Sequence, residues 1–193
     1  MRWYTIGALT VPASQLAFVL AFLLLSFYLW CKKEKKIVDL YGNAVFLFIL
    51  VWKFSIVIFS FSIVMEAPMS LLYFNGGGKG FWLAFIIVCL YVFWKWPRQQ
   101  WNDAIQIWLM MIVLFEGLLA MLNGQAGGLD LFRFAGGAAA LAFFRRSPLQ
   151  VLMLFTLWQL LFESWAGNLF SMNGLSYSVM AVYFVMLRRK NVG

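Results

Sequence analysis

The sequence predicts an all-α, polytopic integral membrane protein: one transmembrane helical domain over residues 1–193, with about seven membrane-spanning helices, the N-terminus outside and the C-terminus cytoplasmic. Three observations carry this. Apolar residues make up 64% of the chain and charged ones only 11%, whereas soluble domains sit nearer half and a quarter. The apolar residues fall in runs close to the ~20 residues that a helix needs to cross hydrocarbon. The positive charges gather in short clusters between those runs, as they do in cytoplasmic loops. The 10 Trp and 21 Phe supply both interfacial rings and lipid-facing surface.

The first run reaches from about Pro12 to Cys31 and is followed by Lys32, Lys33, Lys35 and Lys36, which place its end in the cytoplasm. Ahead of it, Arg2, Trp3 and Tyr4 suit the headgroup layer, where a ring can be half wet. With no basic leader beyond Arg2 and no small-x-small site, this run reads as a mature helix. The second run, about Ala44 to Val64, returns outward and carries Lys53, close to mid-bilayer in a straight helix. A lysine facing lipid there costs several kcal/mol, so it must snorkel, pair or line a polar cavity.

Met65 to Gly80 organises the rest. Glu66 and Pro68 stop the helix. Gly76, Gly77, Gly78 and Gly80 then expose backbone N–H groups around Lys79, with Asn75 ahead of them. Such a stretch is either a turn or a nest able to cradle an anion. Its spacing is not that of a Walker loop.

The third run, Phe81 to Trp96, comes back in and ends at Lys95, Pro97 and Arg98. The fourth, about Ala104 to Leu122, goes out and carries Glu116. Lys53 and Glu116 are expected to meet as a pair, since opposite charges in hydrocarbon are tolerated mainly together. The turn Asn123 to Asp130 is outside. Leu131 to Phe144 is short for a span; it crosses by local thinning or packs tightly through Gly136, Gly137, Ala138 and Ala140. Arg133, near its outer end, snorkels or contacts an anion. Pro148 to Gly167 starts with a proline suited to a first helical turn and carries Gln150, Gln159 and Glu163. Leu175 to Leu187 ends in Arg188, Arg189 and Lys190. Seven crossings put every dense positive cluster on one side.

Some chemistry is excluded or weakened. The formal charge of +8 is spread over loop clusters, so it points to anionic lipid and not to nucleic acid. There is no histidine, and Cys31 and Cys89 have no CxxC partner, so neither a metal nor another cofactor is expected. What remains for a site is Lys53, Glu66, Lys79, Glu116, Asp130, Arg133 and Glu163. Together they are expected to surround an outward-facing cavity, with cations for a lipid phosphate. Glu116 and Glu163 are the candidate general bases, because a buried carboxyl is shifted toward the useful range. A proton or ion pathway would use the same residues.

Several short motifs resemble the prolipoprotein diacylglyceryl transferase family. Arg2-Trp3-Tyr4 resembles its R-W-Y-G opening. Asp39 to Ala44 precedes a helix in which Trp52-Lys53-Phe54 falls where the family has G-A-R. Asn75 to Gly80 occupies the place of its glycine-rich signature. Met121 to Gly124 is similar to the end of G-R-I-G-N-F-I-N-G, Arg146 to Gln150 to the R-H-P-S-Q entry of a later helix, and Phe162-Glu163 to its R-F-x-x-E-F. The resemblance implies a seven-helix scaffold of the bacterial cytoplasmic membrane, with the N-terminus outside, that handles a phospholipid such as phosphatidylglycerol and a lipoprotein partner. It carries over Tyr4 and Lys53; with the anion contacts read from the residues themselves, the substrate-binding candidates are Tyr4, Lys53, Asn75, Gly76, Gly77, Gly78, Lys79, Asn123, Arg133 and Gln150. The family's S-F-H-G-G histidine is missing, Gly117 and Ala120 stand at its arginine and asparagine, and Val151 to Met153 replace its L-Y-E. The expectation is therefore a divergent, non-catalytic relative that binds a phospholipid or a membrane or lipoprotein partner. The alternatives are a phospholipid-dependent diacylglyceryl or acyl transferase and a small transporter subunit.

Overall fold

The computed structural model describes residues 2–6, 9–67, 69, 71, 75–124 and 127–189. Its helices are α1 (Ala13–Cys31), α2 (Lys35–Phe59), α3 (Phe61–Glu66), α4 (Gly77–Lys95), α5 (Trp101–Asn123), α6 (Gly128–Ala142), α7 (Pro148–Trp165) and α8 (Met172–Arg189). A 3-10 turn at Arg98–Gln100 leads into α5.

The expectation of seven spans is overturned. Among the described residues four helices are long and apolar enough to cross a membrane: Ala13–Cys31, Lys35–Phe59, Gly77–Lys95 and Arg98–Asn123. The other runs are helical, but each fails for a physical reason. Helix α6 has 15 residues, about 22 Å of rise, against ~30 Å of hydrocarbon. Helix α7 is diluted by Gln150, Gln159 and Glu163, and α8 by Asn173, Ser176, Ser178 and its terminal arginines. The assignment of the N-terminus outside and the C-terminus inside drew on an odd number of crossings and falls with it.

The helical surface is nonetheless that of a protein with several membrane-length apolar helices. In α1, Ala13, Ala17, Ala21 and Leu25 recur every fourth residue and are fully buried, while Leu23, Leu24 and Phe27 are exposed. Helix α2 buries Ile37, Tyr41, Ala44 and Phe48 and exposes Phe46, Ile49, Leu50 and Phe54. A helix apolar on both faces is stable against water only in a large core or in lipid. Exposed Trp30 and Trp94 near the ends of α1 and α4, and Trp165 at the end of α7, suit the headgroup layer.

The chain forms two compact units, residues 1–25 with 97–193, and residues 26–96. It leaves the first unit within α1, after Leu25, and returns after Trp96.

In the second unit, α2 and α4 pack along each other. Phe81 meets Phe48 with ring centroids 5.5 Å apart and Trp52 at 6.4 Å. Helix α2 starts at Lys35, nine residues before the apolar run, so Lys53 is not at its centre. It lies six residues from the helix end at Phe59, about 9 Å of rise. Pro68, expected to stop this helix, lies outside the described residues; α2 ends already at Phe59, and α3 ends at Glu66.

The first unit opens with a β-hairpin where the sequence suggests only an interfacial segment. Strand β1 (Trp3–Ile6) pairs antiparallel with β2 (Leu9–Pro12), Trp3 opposite Pro12 and Tyr4 opposite Val11. The aromatic and β-branched residues Trp3, Tyr4, Thr5, Thr10 and Val11 favour such a ribbon. It docks on the C-terminus of α5. The Tyr4 hydroxyl donates to the carbonyl of Leu122, and the Arg2 N–H donates to Asn123 Oδ1 at 3.5 Å. Gly124 ends α5 with φ 63°, and the Arg2 guanidinium fills the space where a Cβ at Gly124 would stand. A cation over the last carbonyls of a helix is favourable. Tyr4→Phe keeps the ring and removes only the hydroxyl, a loss of about 1 kcal/mol. Amide exchange in residues 3–6 and 9–11 should then speed up by about fivefold, as read by hydrogen–deuterium exchange.

Candidate functional site

Helices α5 to α8 are joined by the short connections 124–127, 143–147 and 166–171, which make successive helices antiparallel neighbours. The late residues of α5 and α7 therefore lie beside the early residues of α6 and α8. Close approach of α6 to its neighbours is set by glycines. Gly117 lies against the Phe134 ring, Gly136 lies under the Trp158 indole, and Gly137 touches Val113 and Phe155. Small residues bring helix backbones together, and here they bring Arg133 into the group. Of the small face expected on this helix, Gly136 and Gly137 do this packing, while Ala138 is exposed.

Arg133 is the hub. Its Nη2 lies 2.7 Å from Glu116 Oε1 of α5 and 3.0 Å from Glu163 Oε1 of α7. Its Nε donates to Gln159 Oε1 at 2.6 Å, and its backbone carbonyl accepts from Trp158 Nε1 at 3.1 Å. The guanidinium carbon sits 5.8 Å from the centre of the Phe162 ring, within reach of a cation–π contact. Glu116 Oε1 also accepts from the Tyr177 hydroxyl of α8 at 2.6 Å. Glu163 Oε2 accepts from Ser171 Oγ at 3.1 Å. Ser171 in turn accepts from the Gly174 N–H at 3.2 Å, as a helix N-cap does, so capping accounts for its place. Four helices thus contribute to one largely buried network. Among the described residues, neither Arg133 Nη1 nor Glu116 Oε2 makes a hydrogen bond.

The sequence-based candidates separate by unit. Glu116, Glu163 and Arg133 come together, and Glu116 is held by Arg133 and Tyr177. Tyr4 and Asn123 lie at the C-terminus of α5, in the hairpin contact. Gln150 is exposed in the first turn of α7, thirteen residues from Glu163 and so about 20 Å along the helix. Lys53, Asn75, Gly76, Gly77, Gly78 and Lys79 belong to the second unit. There the glycine stretch is the start of α4. Asn75 Oδ1 accepts from the Gly77 N–H at 3.0 Å, Gly76 N–H donates to the Trp52 carbonyl and Gly80 N–H to the Gly76 carbonyl. Three amides expected to face an anion are therefore taken by the chain itself, while Gly78 and Lys79 are exposed.

Sequence reasoning missed Gln159, Tyr177 and Phe162 as members of the network. Gln159 and Glu163, four apart, share a helix face, a signal that was readable. Tyr177 carries none, being one of 7 tyrosines in the chain.

Compared with known proteins, the chain matches no family model, no curated protein and no solved structure, so the geometry of its own charged cluster is what bears on its role.

Proposed function

We propose that this is a non-catalytic, multi-pass protein of the bacterial cytoplasmic membrane that binds a phospholipid at the Arg133 cluster and presents it to a membrane or lipoprotein partner. One observation carries the reading. Arg133 is held by Gln159, Glu116 and Glu163 through Nε and Nη2, and its Nη1 makes no hydrogen bond among the described residues. A guanidinium fixed on one edge and open on the other is suited to a phosphate oxygen. Its depth fits as well. Arg133 is five residues into α6, about 8 Å from the helix end, which is headgroup depth when that end meets the interface. Exposed Trp165 and Phe170 lie at the same end of the group. The short stretches that resemble a phospholipid-using transferase family lend support.

The geometry speaks against turnover. A general base acts on a nucleophile that it can deprotonate; both oxygens of Glu163 and one of Glu116 are engaged by Arg133, Ser171 and Tyr177, which leaves Glu116 Oε2 alone. The two hydroxyls present, Tyr177 and Ser171, donate to those same carboxylates.

The test is Arg133→Lys, which keeps the positive charge between the glutamates and removes the outer N–H arm. Phospholipid retained in native mass spectrometry from mild detergent should fall about tenfold, the effect of losing one charge-assisted hydrogen bond. Equal retention by wild type and variant would dismiss Arg133 as the ligand.

A further inference from the structure

Resting on the phospholipid-binding reading above, we infer that the headgroup this cluster takes is zwitterionic and carries a primary ammonium beside its phosphate. Two features of the same end of the first unit lead there. The first is the charge balance. Glu116 and Glu163 converge on the single guanidinium of Arg133. Asp130, one turn before Arg133, adds a third carboxylate, which accepts from the Gly127 N–H at 3.3 Å. Against these, the described residues of this end supply one further guanidinium, that of Arg2 at Gly124. A headgroup of net negative charge would be added to an excess of carboxylate in a setting that screens charge poorly. A zwitterion brings its own cation and leaves that balance unchanged.

The second feature is the pair of uncommitted atoms. Arg133 Nη1 is a donor with two N–H bonds, and Glu116 Oε2 is an acceptor. The ion pair through Arg133 Nη2 and Glu116 Oε1, at 2.7 Å, holds the two groups side by side. The side chains of Arg133 and Glu116 keep 14% and 11% of their exposure, so neither is sealed off. A phosphate oxygen placed on Nη1 and an ammonium placed on Oε2 satisfy both with opposite charge. A glycerol hydroxyl can also donate to Oε2, but it brings no positive charge and leaves the headgroup net negative. A trimethylated ammonium has no N–H to give Glu116, so a charged second contact requires a primary amine.

The experiment is lipid competition on the full-length chain in mild detergent, read by native mass spectrometry. Dioleoyl phosphatidylethanolamine, phosphatidylcholine and phosphatidylglycerol are offered in equal amounts. Wild type should retain the ethanolamine lipid about tenfold over the other two, as one charge-assisted contact provides. Glu116→Gln keeps an oxygen for the Tyr177 hydroxyl and should bind lipid with that preference lost. Tyr177→Phe leaves both charges in place and should keep it. Phosphatidylglycerol or phosphatidylcholine retained equally with phosphatidylethanolamine by wild type overturns the headgroup assignment and leaves lipid binding standing. No lipid retained by wild type above the level of Arg133→Lys overturns both. If Glu116→Gln does not fold, the wild-type ranking of the three lipids decides alone.

Discussion

Arg133→Ala should cost about 3–5 kcal/mol of stability, the range for removing one partner of a buried ion pair. The size follows from what stays behind. Glu116 and Glu163 approach the same nitrogen at 2.7 and 3.0 Å, so without it two carboxylates are left close together in a largely buried site. Gln159 loses the donor it accepts from at 2.6 Å. The backbone of α6 keeps its own tie through Trp158 Nε1 and the residue 133 carbonyl, so the helix should remain seated while the cluster fails. This gives the prediction a second arm. Glu116→Gln placed in the Arg133→Ala chain removes the repulsion and should recover about half of the loss, whereas Glu116→Gln in the wild-type background should destabilise. Opposite signs in the two backgrounds are the signature of coupled neighbours. Thermal unfolding of the four proteins in one detergent measures it. Additive effects, or an Arg133→Ala cost below about 1 kcal/mol, would mean that the cluster is wet and independent of the packing around it.

The same residues show where the sequence was readable. Helices α1, α4 and α5 follow their apolar runs because a membrane-length run between charged flanks is a local signal, needing no knowledge of neighbours. The start of α2 was not legible that way. Its first nine residues, Lys35 to Asn43, are mixed, and their helicity continues a helix whose buried face repeats at Ile37, Tyr41, Ala44 and Phe48. A run counted from Ala44 puts Lys53 near the middle of its helix, whereas in α2 it lies six residues from the end. Residues 128–189 were counted as spans by their basic flanks. Arg133, Gln159 and Glu163 instead meet inside the group, Gln150 is exposed, and α6 is short while α7 and α8 carry too many polar residues to qualify as spans. Which carboxylate meets which cation depends on how α5, α6 and α7 approach, and that is fixed by Gly117, Gly136 and Gly137 against specific rings. No single-chain pattern states it.

Gly80→Ala should destabilise the second unit by about 1–3 kcal/mol, the usual cost of overpacking, although alanine is the better helix former by about 1 kcal/mol. The first turn of α4 rests directly on Ser55 of α2, which is 1% exposed. A methyl at Gly80 would overlap Ser55 Oγ and come within 3.3 Å of Trp52 Cδ1. Neither neighbour can easily retreat. Ser55 Oγ donates to the Trp52 carbonyl at 2.7 Å. The Trp52 indole donates to the Gly77 carbonyl at 3.1 Å and packs edge-on against Phe81. Ser55→Gly in the same chain removes the obstructing group and should restore most of the stability, a rescue that a flexible turn would not show. Gly78, exposed in the same turn, supplies the contrast: Gly78→Ala should be neutral or stabilising. If Gly78→Ala and Gly80→Ala lower the unfolding temperature equally, and Ser55→Gly rescues neither, then the glycines serve conformational freedom at this turn and not the contact between α2 and α4.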